Sequence, residues 1–195
     1  MNGTPVAEGV ALKLEDRSYN IVAETIVVAD GVYAFTDLEA SSEGYNVLFA
    51  QEWNPEYEIV QVVSWGWLGP VIVESGAVVP LPDFELSLLG FGQVSPEPNA
   101  AIFAAALLPE NATVFEWTAY PQAVTYWVDL SPGEELEVVW QSGLVQGTSV
   151  TFDGTLDDGA HILPGEYWWG IGARQELGPY MLTVYGYQQR LSIEP

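Results

Sequence analysis

The amino-acid sequence predicts an all-β protein built from two tandem β-sandwich domains, immunoglobulin-like or prealbumin-like in type. Short runs rich in Val, Ile, Tyr, Phe and Trp recur along all 195 residues, and such residues favour half-buried strands. Turn-forming pairs such as Asp-Gly, Pro-Gly and Ser-Gly separate the runs. No long stretch repeats apolar residues with the period of an amphipathic helix. Strands joined by tight turns are therefore expected throughout.

Individual strands are predicted wherever an apolar or alternating run is bounded by turn residues. The predicted strands are Val10–Glu15, Asn20–Val28, Val32–Asp37, Tyr45–Ala50, Glu58–Val63, Ala77–Leu88, Ala101–Leu107, Thr113–Thr118, Thr125–Leu130, Glu137–Gln141, Ser149–Phe152, Gly165–Ala173 and Pro179–Tyr187. The Ala-rich run 99–108 is equally compatible with a short helix, because Ala has the highest helix propensity. Residues 65–70, Trp-Gly-Trp-Leu-Gly-Pro, are interpreted as a loop, because Gly and Pro interrupt the run.

A domain boundary is predicted within residues 90–99. Gly-Phe-Gly, Ser-Pro and Glu-Pro follow one another there, and such sequences are typical of linkers. The chain length also exceeds the roughly 100–150 residues that one core usually serves. The predicted domains are residues 1–91 and 92–195.

Composition excludes several classes of protein. The net charge is −23, with only four Lys and Arg, so the chain repels nucleic acid and anionic membranes. There is no cysteine, which rules out disulfides, thiolate metal sites and cysteine nucleophiles. The longest apolar stretch, 100–108, is too short for membrane insertion. The 49% of hydrophobic residues predicts a folded chain despite its charge.

The first predicted domain contains an ordered set of short motifs. These are Gly3-Thr4-Pro5-Val6, Gly9-Val10-Ala11-Leu12, Asp30-Gly31-x-Tyr33-x-Phe35-x-Asp37-Leu38, Gly44-Tyr45-x-Val47 and Val78-Val79-Pro80-Leu81. Over about residues 2–88 the chain resembles the prealbumin-like sandwiches called carboxypeptidase-regulatory-like or Cna-B-type domains. Members of that family begin with one more strand, so we expect a longer parent protein and an open sheet edge able to recruit a neighbouring chain.

Some Cna-B-type relatives form an isopeptide bond between a lysine and an asparagine. Lys13 is the candidate lysine here, but it lies in the strand after the Gly-x-Pro turn, and the closing run offers Asp83 instead of asparagine. A lysine on an exposed β face is the expected alternative.

The second predicted domain carries the sequence Leu163-Pro164-Gly165-Glu166-Tyr167-Trp168-Trp169. Together with Phe115-x-Trp117 and Tyr126-x-Val128-x-Leu130, it resembles fibronectin type III-like domains over about residues 100–190, most clearly from residue 109 onward. The resemblance implies that the Tyr167 hydroxyl bonds to backbone upstream while its ring fills the core. It also implies that the strands containing Trp127 and Trp168 are neighbours in one sheet.

Strand alternation sorts the aromatic residues into inward and outward sets. If Tyr167 and Trp169 point inward, Trp168 and Trp127 point outward, and Gly170 leaves a shallow depression beside them. Tyr185 and Tyr187 extend this face, and Trp65 with Trp67 forms a second candidate platform in the first domain. These six residues are the predicted ligand-binding set, because exposed aromatic patches mark binding surfaces. The alternative is that Trp127 covers the outward glycines or is buried against the first domain.

Calcium is the one metal ion suggested by the sequence. Asp153, Asp157 and Asp158 place hard oxygen donors in one predicted loop, and Glu134-Glu135 adds another pair. The spacing is not that of an EF-hand, and turn formation by Asp and Gly explains the same residues. No other cofactor is expected.

Catalytic signatures are missing from the sequence. His161 is the only histidine and is expected in an exposed loop, with no nucleophile elbow in the chain. The 27 acidic residues make chance carboxylate pairs unavoidable, so a glycosidase pair is the weakest hypothesis.

The function predicted is a non-catalytic structural or interaction module of a larger protein. The resemblances imply a secreted or cell-surface location, with protein or polysaccharide ligands and the neighbouring domains of the parent chain as partners. The alternative is a carbohydrate-binding accessory region of a polysaccharide-processing enzyme, marked by two coplanar, exposed Trp rings.

Overall fold

The computed structural model describes residues 10–28, 31–50, 63–82, 92–104, 107–108, 111–133, 137–186 and 188–195. These residues form an all-β fold, and the described part of the chain contains no α-helix. The strands are β1 (Ala11–Glu15), β2 (Ile21–Ile26), β3 (Ser41–Ala50), β4 (Val63–Val73), β5 (Gln93–Ser95), β6 (Ala100–Phe103), β7 (Thr113–Trp117), β8 (Thr125–Pro132), β9 (Trp140–Gln141), β10 (Ser149–Phe152), β11 (Gly165–Leu177), β12 (Tyr180–Gly186) and β13 (Gln189–Glu194).

Ten strands form one large sheet. Its antiparallel order is β2-β1-β3-β4-β12-β11, and β8 and β9 continue it beyond β11. The remaining two strands, β13 and β6, pair in parallel at one end. The sheet therefore includes both the first and the last strand of the described part of the chain.

Strand β11 is long enough to serve three neighbours. Its first part, 165–169, pairs with β13, and its last part, 172–177, pairs with β12 on the same side. Strand β8 lies along the other side of β11. Since β12 and β13 follow each other along one edge, β12 is left to pair with β4 on its far side.

A second sheet of three strands, in the order β10-β7-β5, packs against β8 and β11. The ring of Phe115 on β7 lies 4.9 Å from that of Trp169 on β11, and Trp117 lies 5.6 Å from Tyr126 on β8. All four side chains are buried. Burial of large aromatic rings between two sheets is what holds this half together.

The hydrogen bond expected of Tyr167 is present. Its hydroxyl donates to the Leu163 carbonyl at 3.0 Å, and its ring is buried. Trp117, expected in the core, is buried as well. Tyr167 and Trp117 therefore both occupy the buried positions that the sequence predicts for them.

The first half has a different construction. The core face of β1, β3 and β4 is covered by residues 31–38 and 74–82, which contain no strand. The predicted strand Val32–Asp37 is therefore wrong, and residues 77–82 of the predicted strand Ala77–Leu88 are not a strand either. Side chains such as Tyr33 and Leu81 pack onto the core, so these segments contribute apolar contacts without joining a ladder. Residues 83–88 lie outside the described part.

The loop predicted at residues 65–70 is also wrong, because these residues lie within β4. Strand β4 pairs with β3 on one side and β12 on the other. A side chain at Gly66 would overlap the Thr183 carbonyl oxygen, and one at Gly69 would overlap the Asn46 side chain. The glycines therefore permit close strand approach instead of breaking the strand.

Two further points concern the second half. Residues 100–103 of the Ala-rich run form strand β6, in the region of the predicted strand Ala101–Leu107, and their backbone pairs with β13. Strands β5 and β13 were not predicted; β5 has only three residues, whereas residues 190–194 of β13 alternate between polar and apolar.

The pairing of β4 with β12 crosses the predicted domain boundary. Residues 83–91 lie outside the described part of the chain, while strands on either side of them share one sheet. The division into residues 1–91 and 92–195 stays a prediction, and the observed feature is a sheet common to both halves.

Candidate functional site

Among the described residues, the predicted aromatic side chains lie on the face of the large sheet that points away from the buried core, here called the outer face. Register places Trp127 on β8 opposite Gly172 on β11, Gly172 opposite Tyr185 on β12, and Tyr185 opposite Trp65 on β4. Directly paired residues share a face. The outer face therefore crosses from one half of the chain to the other.

Trp127 has the predicted outward direction but not the predicted exposure, since only 3% of its surface is accessible. Its ring lies on the Gly172 backbone, where any side chain would overlap it. The Tyr185 ring contacts it edge-on at 5.1 Å, and the Arg174 guanidinium lies 5.1 Å from its centroid. The expectation of an exposed ring is wrong, because glycine allows the indole to lie flat beneath its neighbours.

Trp67 and Tyr185 continue this cluster into the first half. Their ring centroids are 5.9 Å apart with an interplanar angle of 32°, and both rings are half-buried. We call Trp67, Tyr185, Trp127 and Arg174 the aromatic joint, because it connects β4, β12, β8 and β11. The shared face predicted for Trp65 and Trp67 follows from β4, although the described residues do not include the Trp65 side chain. Tyr187 lies outside them entirely.

Burial sets the chemistry of the aromatic joint. It raises the pKa of the Tyr185 hydroxyl to about 12, with a further increase from the negative charge of Asp129. Arg174 makes no ion pair within 4 Å among the described residues. A cation over an indole face is stabilised by the ring quadrupole. The joint is thus a packed cluster with structural character.

Trp168 is the half-exposed aromatic residue of the outer face in the second half. It lies opposite Ser131 on β8 and Arg190 on β13. Four residues of β11 separate it from Gly172, a distance of about 13 Å along a strand. Trp127 and Trp168 do not form the pair of adjacent exposed rings that was predicted.

Asp129 occupies the space between them and was not identified from the sequence. Its carboxylate accepts hydrogen bonds from the Trp127 indole at 3.1 Å and from the Gln141 amide at 2.7 Å. Burial raises the pKa of this carboxyl, as does the nearby charge of Asp157, while the two hydrogen bonds partly lower it. The one sequence signal for Asp129 was its position two residues after Trp127, which places both side chains on the same outward face of β8.

Gly170 faces Asp129 across the sheet. The Gln188 side chain lies over this glycine, 3.0 Å from the position that a Cβ atom would take. Ser131, two residues beyond Asp129 on the same face, has a fully buried hydroxyl without a hydrogen-bond partner among the described residues. We call Trp168, Asp129, Gln141 and Gln188 the Asp129 strip.

The three candidate calcium ligands each accept a hydrogen bond from a different partner. The Asp153 carboxylate accepts from the Thr155 amide and that of Asp158 from the Ala160 amide, which are Asx turns. The Asp157 carboxylate accepts from the Gln141 amide. The described residues contain no group of three or more His, Asp or Glu side chains placed to hold a metal. Turn formation therefore accounts for these residues.

Two other sequence expectations are met. His161 is exposed, with Nε2 3.2 Å from the Ala104 carbonyl oxygen. Lys13 lies on the outer face of β1 and pairs with Glu24 at 3.5 Å. Both residues have ordinary structural positions.

Comparisons with protein-family models, with curated proteins and with solved structures gave no match to this chain. A search of the described residues for a helix long and apolar enough to cross a bilayer found none.

Proposed function

We propose that the chain is a non-catalytic structural and interaction module of a larger secreted or cell-surface protein. In this proposal its two halves act as one stiff unit that positions neighbouring parts of the parent chain. The outer face of the sheet supplies the binding surface.

The observation that carries this proposal is the pairing of β4 with β12, reinforced by the aromatic joint. Six residue pairs join the two strands, and Thr183 in the middle of β12 is buried. A backbone ladder with ring contacts across it resists hinge motion far more than a flexible linker does. Stiffness of this kind suits a spacer.

We propose further that the second half is a fibronectin type III-like sandwich. Its sheets have the orders β10-β7-β5 and β6-β13-β11-β8-β9, which agree with strand neighbours expected for such a fold. The hydrogen bond from Tyr167 to Leu163 also supports it. The first half is proposed to be a prealbumin-like domain on the sequence motifs alone, and the secreted location follows from both resemblances.

A glycoside hydrolase is the competing function, favoured by one pair of acids. Asp129 is buried and Asp157 is exposed, and Gln141 donates to both. Acids in unlike environments are what hydrolysis needs. However, the Asp157 carboxylate is held by a backbone amide. Release of shorter sugars from a neutral hexasaccharide, measured by chromatography, would replace the proposed function by this one.

The stiff-module proposal is tested with Gly66→Ala. The added Cβ would overlap the Thr183 carbonyl oxygen and the Phe49 ring, so it disrupts the contact between β4 and β12. Gly147→Ala is the matched control, because its nearest atom is 4.0 Å away. We expect one cooperative urea transition for the natural chain and for the control, and separate transitions of the halves for Gly66→Ala.

Tryptophan fluorescence and hydrogen exchange of β1, β3, β7 and β8 report on both halves. Coincident protection across the four strands is the expected result. Two independent transitions in the natural chain would overturn the stiff module.

A further inference from the structure

The Asp129 strip contains a buried carboxylate with two hydrogen-bond donors. Asp129 is 9% exposed, and no cation pairs with it among the described residues. A carboxylate offers about four acceptor positions, and two are used here by Trp127 and Gln141. The remaining acceptor positions have no donor among the described residues.

An aromatic ring flanks this carboxylate. Trp168 pairs with Ser131, the second residue after Asp129, so it is a diagonal neighbour at about 7–8 Å between Cα atoms. Its half-exposed ring offers an apolar surface beside a hydrogen-bond acceptor. A ligand with an apolar face and hydroxyl groups at its edge can pack on the ring and donate hydrogen bonds to the carboxylate.

The two amide side chains of the strip and the neighbouring Ser131 hydroxyl add further polar groups. Gln141 is exposed and Gln188 is half-exposed, and both reach the surroundings of Asp129. The Ser131 hydroxyl lies buried beside them without a partner among the described residues. A buried hydroxyl left unpaired is costly.

Charge determines which ligand fits. Arg190, across from Trp168, is paired with Glu166, and Arg174 is placed over Trp127. With a net charge of −23, the protein repels anions. The strip therefore favours an uncharged ligand.

We propose that the Asp129 strip binds a neutral oligosaccharide, with one sugar ring stacked on Trp168 and its hydroxyls donating to the Asp129 carboxylate. This inference rests on the proposed function, since it names the ligand class of the same outer face. The stacked ring uses the apolar surface of the indole. Gln141 and Gln188 complete the hydrogen bonds at the rim.

The test is calorimetric titration of the full chain with cellohexaose, xylohexaose, mannohexaose and laminarihexaose, with polygalacturonate as the anionic comparison. We expect saturable binding of at least one neutral hexasaccharide. Trp168→Ala and Asp129→Asn should each weaken it at least about tenfold, or about 1.4 kcal/mol. Trp168→Phe should retain most of the affinity.

Phe103→Ala is the matched control, because Phe103 is an aromatic residue of the same face, 58% exposed, on β6. It should leave binding unchanged. Melting temperatures show that each variant is folded. Absence of binding to all four neutral sugars, or binding insensitive to both Trp168→Ala and Asp129→Asn, would overturn the inference. Equal binding of polygalacturonate would overturn the charge argument.

These outcomes are independent of the stiff-module test. A chain that unfolds as one unit but binds none of the sugars loses this inference and keeps the spacer role. A chain with independent halves loses the spacer role, whatever it binds.

Discussion

The two halves of the molecule cover the same sheet in different ways. In the second half a three-stranded sheet packs on β8 and β11, and Phe115 contacts the rings of Trp140, Phe152 and Trp169. In the first half strandless segments cover β1, β3 and β4 and leave a cavity of about 910 Å³, whose rim includes Val78, 92% exposed. Interlocked rings fix one arrangement, whereas extended segments have more ways to adjust.

Removal of a core ring should show the largest difference between the halves. Phe115→Ala deletes a fully buried side chain and should lower the free energy of unfolding by about 3–5 kcal/mol. Tyr45→Ala on β3, whose buried ring lines the cavity, should cost clearly less, because the covering segments can move into the space. Urea unfolding of both variants measures the difference.

Equal losses for the two variants would show that the first half is as rigid as the second. The two halves would then not differ in how rigidly their cores are packed.

Enlargement of a core residue tests the same contrast from the opposite direction. Val128 is fully buried in the second half, and Val71 is buried beside the cavity in the first. Val128→Leu should destabilise the protein by about 1–3 kcal/mol, because a close-packed core has no room for a longer side chain. Val71→Leu should remain within about 0.5 kcal/mol of the natural chain. A cost at Val71 equal to that at Val128 would contradict this.

The buried acid of the second half gives a pH dependence opposite in sign to that of Asp16 in the first half, whose pKa is lowered by hydrogen bonds from Asn20. Burial raises the pKa of Asp129 above the ordinary 3.8. Between pH 3.8 and the raised pKa of Asp129, the folded state holds the proton more tightly than the unfolded state. Stability therefore increases as pH falls through this window. Above the raised pKa, the charged carboxylate destabilises the fold in full.

Asp129→Asn removes this titration. The melting temperature of the variant relative to the natural chain should therefore rise as pH increases from 3.8 through the raised pKa of Asp129. Tyr185, whose pKa also depends on the charge of Asp129, titrates only near pH 12, so the difference at acidic pH reports on Asp129 and its interaction with Asp157. A difference that stays constant with pH would show that burial does not perturb this carboxyl.

The difference in construction between the two halves also explains which structural features could be predicted from the sequence. The strand Ser149–Phe152 was predicted with its observed bounds, because local alternation and turn residues determine it. The Tyr167 hydrogen bond was expected from the resemblance to fibronectin type III-like domains. The segment 32–37 alternates just as well but joins no strand ladder, although the Val32 carbonyl accepts a hydrogen bond from the Val28 amide. Alternation reports that side chains are buried on one face, and strand pairing depends on residues distant in sequence.

The candidate site divides in a similar way. Parity correctly directed Trp127 and Trp168 outward, since it is a local property of a strand. The burial of Trp127 depends on Tyr185 and Arg174, which reach it from neighbouring strands. Asp129 was missed because a lone acid among 27 has no distinguishing pattern until its neighbours desolvate it.

The smallest effects are expected at the surface, where the two halves should behave alike. The Arg190 Nε and Glu166 Oε2 atoms are 2.5 Å apart, and Lys13 pairs with Glu24 at 3.5 Å. All four side chains are about half exposed or more, so solvent screens both pairs. The hydrogen bond from Arg190 lowers the pKa of Glu166. Its contribution is therefore present above the ordinary value of 4.5 and is lost as pH falls through the lowered pKa.

Arg190→Gln and Lys13→Gln should each lower the melting temperature slightly at low salt and neutral pH, with the larger change at Arg190 because its contact is shorter. Both changes should vanish at about 1 M salt, where the screening length is only about 3 Å. A loss at Arg190 that persists in high salt would mean that its side chain supports Trp168 by packing instead of by charge. The outer face of the second half would then owe its order to apolar contact, as its core does.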